Sequence, residues 1–341
     1  MNSIAVITSF FTLAAGIGVF LIACNMMSTN LEALGTKKLK KLFAKASKNK
    51  LIGVGVGAAA TAAIQSSSAT SVMVIGFVNA GIMSLSQAAT VIFGANIGTT
   101  ITGLIVALGL SGNEALSASV ILAGFACVGA FILMFAKKDT ARKAGGIIAG
   151  FGMLFVGLTM MSGSMTNFSD SDFIKNFIAT FSNPLLLIIV GAALTAVVQS
   201  SSVITSLSIT TVVTGLITLN QGIYITMGSN IGTCATSLIA GFASTKNAQR
   251  TALIHLLFNV SGVIVFTVAG LFISLGGADY GRIFARIFPN APQMQLAIFH
   301  TVFNLITVFI MLPLTEPLIK LVVKIVPDEK SAKTYFAKNA N

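Results

Sequence analysis

"TAAIQSSSAT", residues 61–70, and "TAVVQSSSVI", residues 195–204, decide how this chain folds. Each sets a glutamine and three serines in the middle of an apolar segment, and Gln65 and Gln199 lie 134 positions apart. "GANIGTTIT" (94–102) returns as "GSNIGTCAT" (228–236) at the same offset, and comparing 57–102 with 191–236 without a gap gives 20 identities in 46 positions. The register reaches back to "GIGVFLIACNMM" (16–27) against "GFGMLFVGLTMM" (150–161). The chain is an internal duplication, and a duplication has to be recognised before single elements are assigned.

Only 9% of the 341 residues are charged and 55% are hydrophobic. A soluble chain carries about 25% charged residues, so this composition belongs to an all-α polytopic membrane protein. The net charge of +12 then reads as cationic loops that set membrane orientation, not as a nucleic-acid footprint. Cys24, Cys127 and Cys234 sit in apolar segments without metal or disulfide spacing and read as packing residues. "LIAC" (21–24) resembles a lipoprotein cleavage site, but no lysine or arginine precedes it, so Ile4–Met27 is expected to be a first membrane helix.

Loop charge orients the copies. Segment 37–50 holds seven lysines and no acid, and is an orientation signal or an amphipathic helix on anionic lipid; its counterpart 171–184 holds one lysine, with Asp172 inside it. Loop 111–114 carries only Glu114, whereas its counterpart near 244–250 carries Lys246 and Arg250. Lys and Arg favour cytoplasmic loops, so the sign swap predicts an inverted-topology repeat. With 37–50, 137–143, 244–250 and the tail from Leu314 inside, 18 of the 21 cations are cytoplasmic; 163–183 and 276–293 outside hold three. The expectation is a cell-membrane protein with its N-terminus outside and its C-terminus cytoplasmic.

A spanning helix needs about 20 apolar residues. The first repeat (1–136) reads as the first helix, a re-entrant hairpin 51–86 turning at QSSS, a helix 87–110 broken at NIGT, and a helix 115–136. The second (144–275) reads as helix 144–162, hairpin 185–219, broken helix 221–243 and helix 251–275. Helix 294–312 and a cytoplasmic tail 314–341 follow, giving about seven full spans plus two opposed hairpins.

Non-helical backbone at membrane depth lines a cavity or is buried in protein. Two tips and two breaks would expose helix N-termini, which suit an anion, and carbonyl ends, which suit a cation. Ser66, Ser67, Ser68, Ser200, Ser201 and Ser202 offer hydroxyl donors to a tetrahedral oxyanion; Gln65, Gln199, Asn96 and Asn230 carry amide donors and oxygens that suit either ion; Thr70, Thr99, Thr100, Thr205 and Thr233 supply oxygens of the kind Na+ accepts. Residues 51–110 and 184–245 contain no Lys, Arg, Asp, Glu or His. A buried anion is costly unless paired, so a co-bound Na+ is the natural counterion. "HLLFN" (255–259) and "HTVFN" (300–304) each set His and Asn one turn apart, and helix packing explains them more simply than substrate contact. Neither QSSS segment offers a serine nucleophile a base, so an enzyme is not expected.

The duplicated QSSS and NIGT motifs resemble the sodium–phosphate cotransporter family, which includes bacterial members and the animal type II phosphate transporters. The resemblance covers about 1–312 and implies Na+-coupled symport of inorganic phosphate by alternating access, the QSSS tips contacting phosphate and Na+. The partners expected are phosphate, Na+ as coupling ion and the lipid bilayer, with no cofactor and no nucleic acid; a homodimer is an arrangement the chain allows. Sulfate or arsenate transport, and a passive anion channel, are the alternatives. Animal members follow QSSS with a threonine, where this chain has Ala69 and Val203, and Cys234 stands where the first copy has Thr100. Many bacterial relatives continue into a PhoU-like domain; with about 27 residues after its last span, this chain is expected to lack that regulation.

Overall fold

The computed structural model describes residues 3–44, 49–111, 118–242 and 244–328, and every regular element among them is an α-helix. Helix α1 (Ser3–Ala44) leads into a pair, α2 (Lys50–Ile64) and α3 (Ser67–Asn79), then the long α4 (Leu85–Gly109). After α5 (Ala118–Ala123) and α6 (Phe125–Phe135), the second copy runs α7 (Asp139–Ser169), α8 (Asp172–Ala179), the pair α9 (Pro184–Val198) and α10 (Ser201–Val213), α11 (Leu219–Phe242) and α12 (Lys246–Leu275). Helices α13 (Tyr280–Ile287), α14 (Pro292–Met311) and α15 (Thr315–Ile325) close the described chain.

Five helices among the described residues are long and apolar enough to cross a membrane: Val6–Gly35 within α1, then α4, α7, α12 and α14. The chain is a multi-pass membrane protein. Two of the seven expected spans are not among these five. Helix α11 is 24 residues long but carries Asn220, Gln221, Ser229 and Asn230, which lower its apolarity. The span expected over 115–136 is divided at Gly124 into α5 and α6, and 112–117, including the Glu114 on which the loop argument drew, lie outside the described residues.

Other boundaries move outward. α1 continues 17 residues past Met27, because Leu31, Glu32, Ala33, Leu34 and the lysines that follow are good helix formers and no proline intervenes. Much of 37–50 is therefore helix; 45–48 lie outside the described residues. α7 overruns 144–162 at both ends, and the stretches expected as loops at 163–183 and 276–293 contain α8 and α13. The tail from 314 begins with α15, and 329–341 lie outside the described residues.

The larger correction concerns NIGT. α4 and α11 run unbroken through Asn96–Thr99 and Asn230–Thr233. The glycines there serve packing. A Cβ on Gly94 would lie 1.9 Å from Val54 O and one on Gly98 2.5 Å from Ala58 O; at the repeat positions, Gly228 would meet Ile188 O at 2.0 Å and Gly232 Ala192 O at 2.3 Å. Gly57 and Gly191 face them from α2 and α9, 1.9 Å from Val91 O and 2.1 Å from Ile225 O. Each long helix thus lies backbone to backbone against the first helix of its own pair, the small-residue packing that lets helices associate in lipid. α3 and α10 are each followed by a turn with a left-handed glycine, Gly81 at φ 69° and Gly215 at φ 70°, again 134 residues apart. The repeat read from sequence is therefore repeated in local structure.

Candidate functional site

α2 and α9 each end on a glutamine in the left-handed conformation, Gln65 at φ 59° and Gln199 at φ 56°. Each donates its backbone N–H at 2.7 Å to the residue four before it, Thr61 O and Thr195 O. Glycine normally takes this capping position, and a residue with a Cβ gives up about 1–2 kcal/mol there. Such strain persists where the surroundings over-determine the backbone, often at functional sites. The next residues, Ser66 (φ −147°) and Ser200 (φ −145°), return to extended backbone and stand as N-caps of α3 and α10.

The two tips meet. Gln65–Ser68 and Gln199–Ser202 line one cavity of about 180 Å³ together with Val198 and, from α1, Leu21, Cys24, Asn25 and Ser28. That space holds several water molecules, or an ion with part of its hydration. Among the described residues, no charged side chain lines it. α3 and α10 present their N-termini there, with first-turn N–H groups that have no partner within the helix and the positive end of each dipole. From α9 only Val198 reaches the cavity and from α2 none, so the cavity offers the N-terminal N–H groups of α3 and α10 to an anion, with serine hydroxyls and glutamine amides able to serve an anion or a cation.

Eight of the fifteen predicted ligands are thereby brought together: both glutamines and all six serines. The other seven lie elsewhere, buried, and the unbroken NIGT helices explain most of them. Asn96 Nδ2 donates to Ile92 O (2.9 Å), Thr99 Oγ1 to Ala95 O (3.0 Å), Thr100 Oγ1 to Ile97 O (2.8 Å) and Thr233 Oγ1 to Ser229 O (3.0 Å). These groups return to their own helix because it never opens. Thr70 bonds Thr61 Oγ1 at 3.0 Å and donates to Ser66 O at 3.1 Å, behind the first tip. Thr205 packs beside Gly103 of α4, and Asn230 Oδ1 lies 3.3 Å from His300 Nε2. His255 Nδ1 is 2.8 Å from Ser237 Oγ, so both histidines pack between helices and neither lines the cavity.

Sequence reasoning missed the contribution of α1. The available signal was Asn25 and Ser28, one turn apart on a helix otherwise apolar through residues 13–27.

The profile of a family described as Na+/Pi-cotransporter matches residues 19–163 and 159–278. "Uncharacterized protein YqeW" of Bacillus subtilis (strain 168) is 28% identical over 315 residues, 90% of this chain and 95% of that protein. "Putative inorganic phosphate export protein YjbB" of Escherichia coli (strain K12) is 24% identical over 324 residues; the match takes in 94% of this chain but 56% of that longer protein. "Sodium-dependent phosphate transport protein 2B" of Homo sapiens is 45% identical over 85 residues, 24% of this chain and 12% of that protein. No solved structure matches the chain.

Proposed function

The chain belongs to the Na+/Pi-cotransporter family, and from that membership we propose that it is a secondary active transporter coupling inorganic phosphate to Na+. The observation that carries the reading is the single uncharged cavity shared by two QSSS tips. Serine hydroxyls and the N-termini of α3 and α10 surround the oxyanion. Na+, held by amide and hydroxyl oxygens, supplies the charge the protein withholds.

The proposal includes the membrane arrangement. α2, α3, α9 and α10 have 13 to 15 residues, short of the roughly 20 needed to cross, so each pair dips into the membrane and returns to its own face. Loop charge places the two hairpins on opposite faces, with the N-terminus outside and the C-terminus cytoplasmic. Access alternates as the tips are exposed first to one face and then to the other.

Reconstituted into proteoliposomes, the full chain takes up radiolabelled phosphate faster under an inward Na+ gradient than in choline. Equal rates would remove the coupling. Stronger competition by sulfate than by unlabelled phosphate would reassign the substrate to another oxyanion, and a flux indifferent to any ion gradient would indicate a channel. The name of the Escherichia coli relative favours a second reading, net export; loading the vesicles with phosphate and reversing the Na+ gradient tests it in the same preparation.

A further inference from the structure

α15 is fastened to the end of the molecule where α4 and α12 begin and α14 ends. Ser86 Oγ, at the start of α4, donates to Glu316 Oε1 at 3.0 Å. Arg250, near the start of α12 and 5% exposed, donates to Val326 O at 2.9 Å and to Asp328 Oδ1 at 2.8 Å. Leu318 and Val322 fill a cluster with Phe93, Ile254, Phe258 and Met311. The helix is thus held in one rotational setting.

That setting leaves Leu321 and Ile325 uncovered, 47% and 53% exposed, with Lys320 and Lys324 also exposed and without hydrogen-bond partners among the described residues. At about 100° per residue, and counting from Leu318, the two exposed apolar residues lie at about −60° and −20° and the two lysines at about −160° and −120°. Ile325 and Leu321 therefore extend the packed face of Leu318 and Val322 round to one side, where they are uncovered, and the lysines border them. This flank directly follows α14, which is long and apolar enough to cross the membrane. A helix of this pattern lies in the interface plane, apolar side among acyl chains and lysines at headgroup level.

We propose that the uncovered flank of α15 docks on the surface of an anionic bilayer leaflet, Lys320 and Lys324 engaging phosphate-bearing headgroups while Leu321 and Ile325 enter the acyl region. Two lysines near such a surface each add about a factor of five in attraction, roughly 1 kcal/mol apiece. Through Glu316 and Arg250 the contact is fixed to α4 and α12.

The chain contains no tryptophan, so Leu321→Trp in the full-length protein gives one reporter. Its fluorescence is read in bilayers of mixed phosphatidylcholine and phosphatidylglycerol in which one or the other lipid is brominated, and Phe309→Trp, at an exposed position of α14, serves as the reference. The expected result is quenching of the Leu321→Trp reporter by both lipids, with a relative association for phosphatidylglycerol about 25-fold above that of the reference. Lys320→Gln with Lys324→Gln, or 0.5 M salt, brings the ratio to the reference value. Equal association of both lipids in the parent, or a ratio unmoved by the double substitution, overturns the proposal. Quenching by neither lipid, with Phe309→Trp quenched normally, overturns it too and shows the flank covered by water or by a second copy of the chain.

Discussion

At the first tip, Gln65 Oε1 accepts from Thr102 Oγ1 at 3.0 Å, Gln65 Nε2 donates to Ala62 O at 2.6 Å, Ser66 Oγ accepts from Ala69 N–H at 3.1 Å, and Thr61 bonds Thr70. At the second, Gln199 is exposed, Ser200 makes no capping bond, and the hydroxyls of Thr195 and Thr236 are buried without partners among the described residues. Backbone conformation is the same at both. One cause is visible in the sequence: Ile204 stands at the repeat position of Thr70, so Thr195 has lost the hydroxyl its counterpart uses. A duplicated backbone has kept its shape while its side-chain network closed on one side and stayed open on the other. Each buried polar group without a partner costs about 1–3 kcal/mol, so the second tip needs less free energy to rearrange, and moving ligand-binding segments come from the less stable parts of a fold.

The histidine pairs repeat the contrast with the halves exchanged. Ser237 gives His255 Nδ1 its partner. Its repeat counterpart is Gly103, and the nearby His300 Nδ1 is buried with none among the described residues.

Substitutions can separate what the halves share from what they do not. The largest effect is expected from Gly57→Ala and from Gly191→Ala, where a Cβ meets backbone oxygen at 1.9 and 2.1 Å. Each should lower stability in detergent-solubilised unfolding by about 3 kcal/mol, and the two should agree; a large inequality would break the shared packing. Next, Ser237→Ala leaves His255 Nδ1 unpartnered and should cost about 2 kcal/mol, whereas Gly103→Ser, with 3.7 Å to the nearest atom, should gain about 1 kcal/mol by offering His300 a hydroxyl. Opposite signs in thermal unfolding are the point of that pair, and equal signs would undo it. The smallest contrast lies at the caps: Ser66→Ala should cost about 1 kcal/mol and Ser200→Ala only a few tenths, because only Ser66 caps its helix. In phosphate binding the order is expected to reverse, since the Ser200 hydroxyl is free for a ligand; isothermal titration of both variants checks this, and a greater loss of affinity in Ser66→Ala would contradict it.

Much of the fold was legible. The 134-residue offset, the turns at Gln65–Ser66 and Gln199–Ser200, and the absence of charge are local or periodic properties. NIGT misled because Asn, Gly and Thr are weak helix formers, and propensity argues for a break. Backbone contact with α2 and α9, which only glycine permits, outweighs it. Asn96, Thr99, Thr100 and Thr233 consequently bond their own helices instead of facing a cavity.

By itself the sequence determined that the chain enters a membrane, that it repeats, and where each pair of short helices turns. Those properties follow from apolar content and from backbone chemistry within a few residues. Only the tertiary structure decided that the two tips share one cavity and that Asn25 and Ser28 of α1 form its third wall. Contacts between residues more than a hundred positions apart depend on how helices pack, and packing is set by the sum of many small contacts that no local pattern records.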